Sequence, residues 1–187
     1  MRRKNTTSAM MCDYLAQALL ILLKDHDLDQ ITISQLTEKA GVNRSTYYRH
    51  FSSKQQLAQY YYARLLDKHR KHFAASTPLT YQTYLEFLFN ELKQRQNDIL
   101  SLHHAGLSIQ LLPVLKQSFQ QFENVEHWQA AYHIGGIYNG LLTWFDEEMQ
   151  TSPQQLAAKV TDFIPAEMRL LFNDINFGEK PNPSIKS

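Results

Sequence analysis

The seven residues Arg44-Ser-Thr-Tyr-Tyr-Arg-His50 bring two guanidinium groups, four hydroxyls and an imidazole into two turns of chain. On a helix Tyr47 and Phe51 share one side, at i and i+4, with Val42 just ahead as an apolar plug, so they are expected to face a small core. The opposite side carries Ser45, Thr46 and Arg49, flanked by Tyr48 and His50, with Arg44 free to reach forward from the first turn. Base edges in a major groove present donors, acceptors and thymine methyls, and phosphates attract cations, hydroxyls and helix N-termini. A helix with this face has the chemistry to lie in a duplex groove; a solvated polar surface is the plainer alternative.

The surrounding elements favour the groove. Ile33, Leu36 and Ala40 recur at helical spacing and Gly41 follows where a helix ends in the left-handed conformation. Thr32 with Gln35 three residues on forms a capping box that starts this helix, and Asn43 is placed to cap the next. Two short helices hinged on one glycine make a helix-turn-helix. Before them Met10, Met11, Leu15, Ala18, Leu19 and Leu22 form a stripe over residues 7–25, which completes a three-helix unit around Leu36, Tyr47 and Phe51. After them Ser53 with Gln56 caps a helix carrying Leu57, Tyr61 and Leu65 and running to about His72, with Lys54 at its N-terminus, where ammonium and helix dipole together can hold one phosphate.

Residues 31–57, 27 of the 187, resemble the TetR family of transcriptional regulators: a Thr-capped helix, Ala-Gly-Val, then Thr46, Tyr48, His50, Phe51 and Lys54 in the slots of a Thr-x-Tyr-x-His-Phe-x-x-Lys signature. The resemblance implies phosphate contacts for Thr32, Thr46, Tyr48 and Lys54, and base-reading or groove-lining roles for Arg44, Ser45, Arg49 and His50; Tyr47 completes the candidate DNA-binding set. Many members carry glycine at the slot of Ser45 and a smaller apolar residue at that of Tyr47, which leaves the preferred operator open.

Charge divides along the chain. Residues 1–72 hold 12 Lys or Arg and 6 Asp or Glu, a balance of +6, and residues 73–187 hold 7 and 12, a balance of −5. Cations are thus concentrated where phosphate would dock. Arg2, Arg3 and Lys4 read as a short basic arm before the first helix, either on DNA or simply solvated. His69 and His72 suggest a metal only superficially, since no nearby carboxylate or cysteine completes a site and Lys68, Arg70 and Lys71 would repel a cation, so neither metal nor cofactor is expected. The single Cys12 precludes an intramolecular disulfide, no apolar run reaches membrane-spanning length, and the first residues lack a signal peptide, so a cytoplasmic protein without membrane contact is expected.

Apolar residues at helical period, six glycines and six prolines predict an all-α protein of nine or ten helices. The expected divisions are residues 1–52 for the helix-turn-helix domain, 53–73 for a connecting helix, 74–175 for a C-terminal domain after the break at Ala74–Thr80, and 176–187 for a mobile tail. Within the C-terminal domain, helices are expected over 81–95 and 99–104, through Ile109 to Phe122, and over 125–149. The last of these is apolar on more than one face and must be covered on more than one. Ser152-Pro153-Gln-Gln155 launches a final helix that Pro165 should kink.

Gly135–Phe145 and Thr151–Ala157 look like the C-terminal domain of a TetR subgroup common in Firmicutes, which implies a dimer formed by pairing the last two long helices across a twofold axis. Gly136, Gly140, Thr143, Trp144, Leu156 and Val160 are the candidate interface residues. The resemblance further implies a homodimeric, most simply repressing, regulator of a palindromic operator in double-stranded DNA, answering to an unidentified effector. Tyr84, Phe87, His103, His104, Trp128, Tyr132, His133 and Tyr138 are candidates to line an effector pocket, against the plainer reading as core and interface. The alternative is an activator or adaptor whose C-terminal domain answers to a protein partner. An enzyme is not expected, because nothing flanks His103-His104, or His133 and Glu126, with a nucleophile or third ligand.

Overall fold

Helix start and stop signals account for most of the architecture. A computed structural model describes residues 2–73, 80–119, 126–164 and 169, with side chains outside 2–7, 69–73 and 119. Among them lie nine α-helices and no strand: α1 (Arg2–Leu22), α2 (Ile33–Ala40), α3 (Arg44–His50), α4 (Lys54–Phe73), α5 (Tyr81–Lys93), α6 (Gln96–His104), α7 (Leu111–Phe119), α8 (His127–Asp146) and α9 (Pro153–Asp162). Short 3-10 turns occupy Leu28–Gln30 and Ser108–Gln110.

The fold is all-α as expected, with local differences. α1 already includes Arg2, Arg3 and Lys4, so these form its first turn and not an arm ahead of it. α6 ends before Gly106, which turns left-handed at φ 71°, but the helix expected from Ile109 starts later, because Ser108–Gln110 forms a 3-10 turn and α7 begins at Leu111. The expected interruption at 74–79, the side chains of His69 and His72, the kink at Pro165 and the tail lie outside the described residues.

The chain divides into two compact units, residues 1–64 with 95–114 and residues 65–94 with 115–187, α4 and α7 each contributing to both. In the first, α1 packs against α2, α3 and α6, and Leu15, Leu19, Leu36, Tyr47, Leu57 and Ile99 are buried together. Asp13 on α1 accepts from the Tyr60 hydroxyl at 2.7 Å and from Arg64 Nε and Nη2 at 3.1 and 3.2 Å, so one carboxylate fastens α4 to α1. Tyr61 on α4 donates to Asp98 on α6 at 3.1 Å.

In the second unit α5 packs on α9, and Leu85, Leu88, Phe89, Ile137, Leu141, Trp144, Phe145 and Ala157 form the core. A Thr80–Thr83 capping box begins α5, and Ser152–Gln155, with Pro153 in the first turn, begins α9 as its sequence predicts. Between α8 and α9 the chain turns on Glu148 and Met149 at φ 52° and 54°, a strained pair of left-handed residues. Lys93 Nζ donates to the Met149 carbonyl at 2.7 Å and helps hold that turn.

Candidate nucleic-acid interface

The turn between α2 and α3 is built by backbone chemistry. Gly41 sits at φ 65°; its N–H donates to the Glu38 carbonyl at 3.1 Å and that of Val42 to the Thr37 carbonyl at 3.0 Å, which closes the end of α2. At the other end the Thr32 hydroxyl accepts from the Gln35 N–H at 3.2 Å while Gln35 Oε1 accepts from the Thr32 N–H at 2.8 Å. Asn43 occupies the N-cap position of α3 without a side-chain cap bond.

α3 has two faces. Arg44, Ser45, Tyr48 and Arg49 are exposed, and their helical spacing puts them on one continuous side. Tyr47 is 1% exposed, with its ring 6.0 Å from Phe51, which in turn meets Tyr60 edge-on at 5.6 Å. Tyr47 therefore cannot touch a docked duplex and leaves the candidate DNA-binding set. It belongs to the core, as the i and i+4 pairing with Phe51 requires. Thr46 is likewise buried, at the inner edge of the helix.

Lys54, at the start of α4, and His50, at the C-terminal end of α3, are each tied to a distant element. Lys54 Nζ donates to the carbonyls of Leu28 and Ile31, 2.9 Å for the latter, and so caps the turn that precedes α2. An ammonium has three N–H groups, so one remains for a phosphate. His50 Nε2 is 3.0 Å from Ser8 Oγ on α1. The Ser53–Gln56 box is half realised: Ser53 Oγ accepts from the Gln56 N–H at 3.2 Å, but Gln56 Oε1 accepts from the Ser52 N–H at 2.8 Å. None of these long-range tethers has a sequence signature, since each joins residues far apart in the chain.

The effector candidates do not form one set. His103 and His104 belong to the first unit, the other six to the second. His103 Nδ1 pairs with Ser108 Oγ at 3.0 Å, and His104 lines an open cleft of about 550 Å³ with Lys24, His26, Asn97 and Ser101 among its walls. Trp128 and Tyr132 are 77% and 80% exposed, so they line no interior of the protomer. Tyr84 and His133 are buried, and Phe87 and Tyr138 half-buried. His133 Nε2 is 2.9 Å from the hydroxyl of Tyr81, a partner that the sequence did not single out. Burial pushes the His133 imidazole down to about 4 and raises the Tyr81 phenol, so both are neutral near pH 7.

The interface candidates also divide. Gly136 and Thr143 are exposed, Gly140 and Val160 half-buried, and Leu156 buried. Trp144 is 1% exposed inside its own protomer and is not free to meet a partner. The outward face of α8 instead carries Trp128, Tyr132, Gly136, Asn139 and Thr143, at steps of three or four residues. Among the described residues no group of three or more His, Cys, Asp or Glu could hold a metal, and no helix is long and apolar enough to cross a membrane.

Residues 16–61, which include α2, the glycine turn and α3, match the family described as bacterial regulatory proteins, tetR family. Over 60 residues the chain is 40% identical to the HTH-type transcriptional regulator AlkX of Mycobacterium tuberculosis, a stretch covering 32% of this chain and 28% of that protein. It is 26% identical over 125 residues to the HTH-type transcriptional regulator YvdT of Bacillus subtilis, covering 63% of this chain and 57% of the other. The chain thus spans less than two thirds of these curated relatives. A TetR regulator from Streptococcus agalactiae superposes with TM-score 0.55 at 17% identity, over 86% of this chain and 97% of that one. The TetR family repressor AlkX of Dietzia, implicated in biodegradation of n-alkanes, gives TM-score 0.55 at 21% identity, over 85% and 98%. Residues 16–61 thus match the tetR-family regulatory model, and over most of its length the chain shares the all-α fold of these solved structures.

Proposed function

We propose that this protein is a TetR-family transcriptional repressor that binds a palindromic operator as a homodimer and releases it in response to an effector taken up by the unit of residues 65–94 and 115–187. The observation that carries the reading is the division of α3: Tyr47 faces inward, and Arg44, Ser45, Tyr48 and Arg49 project together from the surface. Arginine can grip guanine or phosphate bidentately, and the hydroxyls of Ser45 and Tyr48 suit either base edges or backbone. Thr32, at the start of α2, and the remaining N–H of Lys54 are assigned to phosphates on either side of the groove.

Dimerisation is supported by α8. Trp128 and Tyr132 project outward from it, and Gly136 and Gly140 have nothing within 4 Å of where a Cβ would stand, so a second helix can approach closely there. Thr143 and Val160 remain at the margin of this proposed interface. A dimer places two copies of α3 for half-sites about one duplex turn, roughly 34 Å, or somewhat more apart, which matches a palindrome. For the effector, Tyr84, Phe87, His133 and Tyr138 are retained as candidates and joined by Tyr81, which pairs with His133; aromatic rings with polar tips suit a small organic ligand.

The test is selection of duplex fragments bound by the full chain, followed by titration of the recovered fragment in increasing salt. Specific binding that Arg44→Ala and Tyr48→Phe each weaken, with unchanged oligomeric mass, supports the assignment. Binding indifferent to both substitutions would sink it.

A further inference from the structure

Ser8, on α1, sets its hydroxyl 3.0 Å from Nε2 of His50, the last residue of α3. The two are 42 residues apart, so only the folded arrangement of α1 against α3 joins them. The rotation of α3 explains why His50 is within reach. Arg44, Ser45, Tyr48 and Arg49 take the outward side and Tyr47 the inward side, which leaves His50 on the edge nearest the core, exposed but close to α1. Its ring also lies 6.3 Å from that of Phe51, at 58°. One imidazole nitrogen is thus occupied and the ring plane is held; among the described residues Nδ1 meets no partner.

We propose that Ser8 is a positioning residue for DNA binding, which holds the His50 imidazole so that Nδ1–H is presented as a donor to a backbone phosphate. This rests on the reading of α3 as the DNA-docking helix and extends it to a residue of α1. Both charge states of the ring are compatible with the arrangement. In the neutral ring the serine hydroxyl can donate to Nε2 or accept from Nε2–H; where Nδ1 meets a phosphate, which only accepts, the ring proton resides on Nδ1 and the serine O–H donates to Nε2. In the imidazolium both nitrogens carry protons; Nε2–H then donates to Ser8 Oγ and Nδ1–H is again available as a donor. Phosphate oxygens only accept, so a donor is what the docking surface must offer at Nδ1. Without Ser8 the tautomer that carries its proton on Nδ1 leaves Nε2 without its donor, and the ring loses its tether to α1. Phosphates are alike at every sequence, so the contribution is to affinity and register, not to operator choice.

The experiment measures equilibrium binding of the full chain, at one fixed salt concentration, to its selected duplex and to an unrelated duplex of equal length. Wild type, Ser8→Ala, Ser8→Thr, His50→Ala and the Ser8→Ala/His50→Ala double variant are compared. Ser8→Ala is expected to weaken both complexes about five-fold, within the range of one hydrogen bond, with unchanged thermal unfolding. Ser8→Thr, which keeps the hydroxyl, should restore binding, and the double variant should bind no more weakly than His50→Ala alone. Wild-type affinity in Ser8→Ala, failure of threonine to rescue, or additive losses in the double variant would each overturn the proposal while leaving the docking role of α3 intact. Absence of duplex binding by the wild-type chain would overturn that role and this proposal with it.

Discussion

Trp144 on α8 lies against Phe89 on α5, ring centroids 5.8 Å apart and planes at 57°, and its indole N–H donates to the Thr151 carbonyl at 2.8 Å. One side chain thereby joins α8 to α5 and to the turn before α9. Trp144→Ala removes both the ring packing and the donor, and should cost about 3–5 kcal/mol of protomer stability. Urea unfolding measures this; a variant as stable as wild type but monomeric would return Trp144 to the interface.

The Tyr47 hydroxyl is buried and, among the described residues, has no hydrogen-bond partner. Tyr47→Phe removes an unsatisfied polar group and leaves the ring, so stability should be unchanged or rise by about 1 kcal/mol. Duplex affinity should stay as it is. A several-fold loss of affinity in a stably folded variant would put the hydroxyl on DNA after all.

Trp128 and Tyr132 are separated by one helical turn and both project from the protomer. Charged replacements there leave the core alone. The Trp128→Glu/Tyr132→Glu variant should therefore keep its helical circular dichroism and run as a monomer in light scattering, with weakened binding to a palindromic duplex. A dimer that survives both charges would require a different surface.

His133 gives the fold an acid limit. Burial depresses its imidazole from 6.5 to about 4, so between these values the unfolded chain takes up a proton that the native chain refuses. Its contribution is fully present above pH 6.5 and is lost as pH falls toward 4, to a total on the order of 3 kcal/mol. Urea midpoints at pH 7.5 and 4.5 should differ more in wild type than in His133→Phe. Equal differences would show that other groups set the acid response.

What could be read from sequence was what is local. Thr32 with Gln35, Gly41, and Ser152 with Pro153 and Gln155 act on neighbours within one turn, and the structure realises each of them. The inward pairing of Tyr47 and Phe51 followed from helical period in the same way. Trp144 shows where that reasoning stops. A helix apolar around much of its circumference declares that it will be covered, but not which side meets its own protomer and which a neighbour. Trp144 went inward and Trp128 outward, although both are tryptophans on α8. The bonds from Lys54 to Leu28 and Ile31, from His50 to Ser8 and from His133 to Tyr81 span 23 to 52 residues. No periodicity encodes pairs at such separations; they exist only once the helices have packed.

The two-sidedness of α3 bears on how the proposed reader can diversify. Its inner residues, Tyr47 and the adjoining Phe51, hold the helix in place, while Arg44, Ser45 and Arg49 support nothing in the core. Substitution among these three changes the pattern of donors offered to a groove without asking the helix to repack. A duplicated gene can thus acquire a new target site by revising a few surface letters, on a scaffold that has no reason to notice.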